Sequence, residues 1–105
     1  MVREVYRESG RLPWDERFGM TAQIRRAAVS VASNIAEGCS RDSARDFGHF
    51  LKIALGSANE VLYLCLLARD LGFLESAAHD RLDPLVEEVR RMLIALILRT
   101  RPSNF

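Results

Sequence analysis

Cysteine is scarce, with only Cys39 and Cys65 in 105 residues. Neither lies in a C-x-x-C pair or has a histidine at ligand spacing. A disulfide framework is therefore excluded, and two free thiols are expected. Six glycines and three prolines are too few for a collagen-like or linker-like chain. Charge of one sign is also missing: 15 basic and 14 acidic residues leave a formal net charge of +1. Neither end carries a basic or acidic tail, whereas nucleic-acid binders usually show a basic excess. Long apolar runs are absent as well. The longest, Val61–Ala68, falls far short of the ~20 residues a bilayer span needs. The N-terminal stretch MVREVYRESGRLPW is charged and has no apolar centre, so no signal peptide and no membrane association are expected. The expected location is the cytoplasm. No segment alternates with period two, so no strand is expected, and there is no internal repeat.

What is present is apolar content, 49% of the chain. With near-zero net charge this excludes intrinsic disorder. The length fits one domain over residues 1–105, with a folded surface of roughly 6,000 Å². The spacing predicts four helices. The first covers residues 2–9, where Val2, Val5 and Tyr6 share a face and Gly10 ends the run. Leu12-Pro13-Trp14-Asp15 is a connection, with Asp15 able to cap the next helix. The second runs from about Glu16 to Glu37, on the stripe Met20, Ile24, Ala27, Val31 and Ile35. Gly19 suggests a break near its start, and Gly38 reads as its C-cap.

Ser43-Ala44-Arg45-Asp46 fits a capping box before the longest helix, about 43–71. In that helix Phe47, Leu51, Ala54, Ala58, Val61, Cys65 and Ala68 form a seam for close antiparallel packing. Gly72 ends it. Asp83-Pro84 reads as the start of the last helix, which runs to about Arg99. Its stripe is Leu85, Val89, Met92 and Leu96, supported by Leu82, Val86 and Leu93. Together these give an all-α, up-and-down antiparallel four-helix bundle with a short first helix. Val61–Ala68 and Met92–Leu98 are apolar in every direction around the axis. Such helices are buried on all sides, which four short helices cannot provide for two of their own. A homo-oligomer is therefore expected.

The string Gln23-Ile24-Arg25-Arg26-Ala27-Ala28-Val29-Ser30-Val31-Ala32-Ser33-Asn34-Ile35-Ala36-Glu37-Gly38 is followed by Arg41. Next comes Phe47-x-x-Phe50-Leu51-x-Ile53-Ala54-x-Gly56-Ser57-x-x-Glu60. This pattern resembles the bacterial four-helix-bundle family encoded in intervening sequences of 23S rRNA genes. The resemblance implies an up-and-down bundle assembled into a ring-shaped homopentamer, with no established activity. A related branch, the accessory variability protein of diversity-generating retroelements, is a basic pentamer that binds nucleic acid and a reverse transcriptase. Two departures stand out: the first helix is shorter than in the family, and Ala32 replaces its usual proline.

The polar residues of the motif admit two readings. One is a structural network of Asn34, Glu37 and Glu60 with nearby arginines, tying the second helix to the third. The other is a phosphate-reading cluster of Arg25, Arg26, Arg41 and Arg45, which would imply an RNA or nucleoprotein partner. Gly56-Ser57, in mid-helix without a strand or a GK[ST], reads as a point of close helix approach rather than a phosphate loop. His49 and His79 stand singly and read as surface or cap histidines. Asp46 and His49 supply acid–His spacing only once, whereas a di-metal bundle needs it repeated. No metal, no cofactor and no enzymatic activity are expected.

Overall fold

In a computed structural model, the chain forms α1 (Val2–Ser9), α2 (Phe18–Cys39), α3 (Ala44–Asp70) and α4 (Ser76–Arg99). The structure describes residues 1–9 and 18–101. The connection read at Leu12–Asp15, with its Asp15 cap, lies outside them. Among the described residues α1 packs on α2 and α4, α2 on α3, and α3 on α4, while the diagonal pairs do not meet. Helices closed in chain order around one core make the expected up-and-down bundle. The molecule is a rod of 52 × 21 × 17 Å with a radius of gyration of 15.2 Å, against ~13 Å for a compact domain of this length.

The ends of α3 follow local chemistry. Ser43 is extended (φ −114°, ψ 150°), and its side chain accepts a hydrogen bond from the Asp46 amide at 3.1 Å. This satisfies one of the orphan donors of the first turn. At the other end Gly72 takes φ +78°. The Phe73 amide then donates to Ala68 O at 2.8 Å and the Gly72 amide to Arg69 O at 3.0 Å. That is the paired closure a left-handed C′ glycine allows. Gly38 does not play the same part, because α2 runs past it to Cys39 and its φ is not positive. Nor does Gly19 break α2, which runs unbroken from Phe18.

The start of α4 corrects the expectation. The helix begins at Ser76, so Pro84 lies inside it rather than at its first position. Pro84 cannot donate to the Asp80 carbonyl, but both residues are exposed and water can serve that acceptor. The earlier start brings Ala78 and His79 into the buried stripe with Leu82, Val86, Leu93 and Ile97. The stripe read from Leu85, Val89, Met92 and Leu96 is turned about 100° from the true inner face, leaving Leu85 and Met92 exposed.

Of the α3 seam, Leu51, Ala54, Ala58, Val61, Cys65 and Ala68 are buried, and Phe47 at its start is half-buried against the same core. Ala27 and Ala28 of α2 join them. So many alanines bring helix axes close but leave little side-chain volume inside. The largest fully buried side chains are Leu51, Leu93, Val5, Val31, Val61 and Val86.

Polar contacts fasten α1 on both sides. Glu8 is buried, and Arg81 of α4 donates to it through Nε and Nη2, both at 2.9 Å. The Arg81 guanidinium is held more firmly protonated by that hydrogen bond. On the α2 side, Arg25 donates to Ser9 Oγ at 2.9 Å and Tyr6 O at 3.1 Å. Its guanidinium also lies 4.6 Å from the Tyr6 ring centre. Contacts of this kind fix register more than they add stability. With eight residues, α1 is ~12 Å long beside an α3 of ~40 Å. Met92 lies a further ~16 Å along α4 from Arg81, and it is exposed.

Candidate functional site

The residues singled out in the motif separate into distinct places. Arg25 is occupied in holding α1, and Arg26 is exposed beside it on α2. Arg41 lies sixteen residues further along, ~24 Å at helical rise. It is paired with Glu37 at 2.6 Å and lies 4.7 Å from the centre of the Phe50 ring. Only Arg41 and Arg45 share one end of the rod, so the four arginines do not form a single cluster. Of the expected polar network, Asn34 donates to Ser30 O at 2.8 Å and to Ser30 Oγ at 3.1 Å. Ser30 Oγ in turn meets Ser57 Oγ at 2.8 Å, linking α2 to α3. Glu37 belongs to the Arg41 pair instead. Glu60 is exposed and makes no ion pair with an arginine among the described residues.

Ser57 therefore does join helices, but Gly56 does not. A Cβ at Gly56 would meet nothing within 4 Å. The residue lies about 160° around α3 from Ala58 and so faces away from the seam. The close approaches are at Gly38, where a Cβ would be 3.0 Å from Phe47 Cδ1, and at Gly48, where it would be 2.5 Å from Thr100 Oγ1. Gly48 thus lets the end of α4 rest against α3. Gly48→Val should lower stability by about 1–3 kcal/mol through overpacking. Thermal unfolding reads this, and an unchanged midpoint would contradict the contact.

Docking Thr100 on Gly48 creates a feature that the motif reading missed. Arg45, His49 and Lys52 come from α3, and Arg99 and Arg101 from the end of α4. With Ala44, Gly48 and Thr100 they line a cleft of about 790 Å³. The spacing of Arg45, His49 and Lys52 is visible in the sequence. Their meeting with Arg99 and Arg101 depends on how α3 and α4 pair, which spacing alone does not show. A shallower depression beside it is lined by Gly38, Cys39, Arg41, Asp42, Ser43, Ala44 and Phe47.

The two thiols differ sharply. Cys39 is exposed, whereas Cys65 is buried. Burial, with a smaller contribution from the charge of Asp83, pushes the Cys65 thiol up to about 11. At pH 8 only about a thousandth of it is thiolate, the reactive form. A thiol reagent at that pH should titrate one cysteine per folded chain and the second only after unfolding. Rapid reaction of both would contradict the burial. His49 is exposed, as expected. His79 is not: it shares the inner stripe with Leu82 and Val86 and is buried. Its Nε2 lies 3.6 Å from Asp83 Oδ1, and neither ring nitrogen has a hydrogen-bond partner. Among the described residues no group of three or more His, Cys, Asp or Glu could hold a metal.

The outer sides of α3 and α4 carry exposed large apolar side chains among their polar ones. Tyr63 is 62% exposed, Met92 57%, Leu98 54% and Leu71 52%. α3 is long and apolar enough to cross a membrane by length and composition. Its inner seam is buried between α2 and α4, however, and its outer face carries Lys52, Asn59 and Glu60. That is the pattern of a central bundle helix. The folded surface of 6,691 Å² exceeds the size rule's ~6,000 Å², as an open, elongated single chain would.

The family model described as 23S rRNA-intervening sequence protein matches residues 1–95. Among solved structures, the chain is similar to a protein of unknown function from the S23 ribosomal protein family of Bacteroides thetaiotaomicron VPI-5482. The two share 28% identity and superpose with a TM-score of 0.78, covering 91% of this chain and 87% of that one. No curated protein matches.

Proposed function

Starting from a chain that belongs to the 23S rRNA-intervening sequence protein family, we propose a non-catalytic scaffold or interaction module that works as a homo-oligomer. The observation that carries this reading is the uncovered apolar outer side of α3 and α4, above all Tyr63 and Met92. Removing such side chains from water contributes roughly 25 cal/mol per Å². A second copy of the same chain presents the same kind of face, and closed homo-oligomers are the common outcome. The ring of five implied by the resemblance is the assembly proposed.

The chemistry inside the bundle supports a non-catalytic role. The Cys65 thiol is buried and held protonated, and His79 is too far from Asp83 for a hydrogen bond. An RNA- or nucleoprotein-binding role for the quartet Arg25, Arg26, Arg41 and Arg45 is the weaker reading, since two of the four are committed to contacts within the chain. Hydroxyl-radical footprinting tests the proposal. Met92 should be protected at tens of micromolar chain and become oxidised on dilution. Equal oxidation of Met92 at every concentration would overturn it.

A further inference from the structure

The cleft between the start of α3 and the end of α4 concentrates positive charge that the composition hides. Arg45, Lys52, Arg99 and Arg101 place four fixed positive charges along it, with His49 between them and no carboxylate among the described residues of the lining. The whole chain carries only +1, so everything outside the cleft is net negative. None of these four cations has an acidic partner among the described residues. Arg41, Arg69, Arg81 and Arg90, by contrast, are each paired with a carboxylate.

Helix electrostatics account for only part of this arrangement. Arg99 lies in the last turn of α4, where a cation is favoured. Arg45 lies in the first turn of α3, where the positive end of the dipole disfavours one. Lys52, two turns further on, gains nothing from either end. The Gly48–Thr100 contact nevertheless holds the two groups of cations together, and Thr100 Oγ1 is itself fixed by donating to Ile97 O at 2.7 Å. An anion in the cleft gains from all four exposed cations at once. One phosphate would leave much of that charge unmatched, whereas a run of phosphates neutralises it. The planar guanidinium fork matches phosphate oxygens two at a time.

We infer that this cleft is a binding site for a ligand bearing consecutive phosphate groups, either a free polyphosphate or the backbone of an RNA strand. Arg45 and Lys52 hold one side and Arg99 and Arg101 the other, with His49 as a further donor. The site goes beyond the self-association reading and does not depend on it, because one chain carries all of its residues.

The test uses the full chain, with inorganic tripolyphosphate in a calorimeter and a fluorescent single-stranded RNA oligonucleotide in an anisotropy titration. The paired variant Lys52→Gln with Arg101→Gln should weaken binding about tenfold or more and flatten the salt dependence by about two contacts. The control pair Arg3→Gln with Arg91→Gln removes the same charge from exposed positions elsewhere and should change affinity by less than about twofold. Circular dichroism confirms that both pairs fold. Tripolyphosphate binding that RNA cannot exceed identifies a free polyphosphate as the ligand. Tight RNA binding with weak tripolyphosphate binding identifies a strand. The site is refuted if neither probe binds at about 50 mM salt, if the control pair weakens binding equally, or if citrate competes as well as tripolyphosphate.

Discussion

Leu51→Ala should cost the fold about 2–5 kcal/mol, the range for deleting a large aliphatic side chain from a core that cannot fully collapse. Leu51 is completely buried in the α3 seam. Its neighbours along that seam, Ala54 and Ala58, are small and backed by helix axes already close together. They cannot move in to fill the space. Leu51 and Leu93 are also the two leucines among the largest fully buried side chains, the rest being valines. A domain of this size has only about 5–15 kcal/mol of stability in total. At about 4–8 °C per kcal/mol, the midpoint should fall far enough to be plain in a thermal melt. Leu71→Ala, at an exposed position, should move the midpoint little in a dilute sample. Equal effects from the two substitutions would contradict the assignment of the core.

Tyr63→Arg combined with Met92→Glu should produce a folded chain that no longer assembles. Both side chains project from outer faces and are more than half exposed in the single chain. Within the bundle, such substitutions usually stay within about 0.5 kcal/mol. At an interface between copies, each would place a charge where an apolar group was covered, and every copy in a closed ring repeats the penalty. The expected result is unchanged helical circular dichroism with a particle mass reduced to one chain. An assembly that persists at micromolar concentration would show that these faces are not the ones covered.

Much of the fold is legible in the sequence because α3 announces itself. Its seven-position seam is strictly periodic, Ser43 caps it as the S-x-x-D spacing implies, and Gly72 closes it with a positive φ. α4 is harder to read. It is apolar on two faces, and Asp83-Pro84 imitates a helix start that the real start at Ser76 overrides. Spacing consequently gives two adjacent stripes, and of the one led by Leu85 and Met92 and the supporting Leu82, Val86 and Leu93 it is the second that faces inward. Gly56 and Gly48 show the same limit. Both are glycines inside α3, and only the pairing of α3 with α4 decides which of them meets a neighbour. The motif arginines are visible as residue types, but Arg25 and Arg41 stand about two-thirds of the length of α2 apart. The cations that do converge come from opposite ends of the α3–α4 hairpin. No local spacing connects Lys52 to Arg101.

Whether further copies of the chain cover the exposed apolar sides of α3 and α4 decides the proposed role. Light scattering on the eluting peak of the unmodified protein, at tens of micromolar and physiological salt, measures this directly. The prediction is a single species at five times the 11.9 kDa chain mass. A monodisperse particle at the mass of one chain would contradict it.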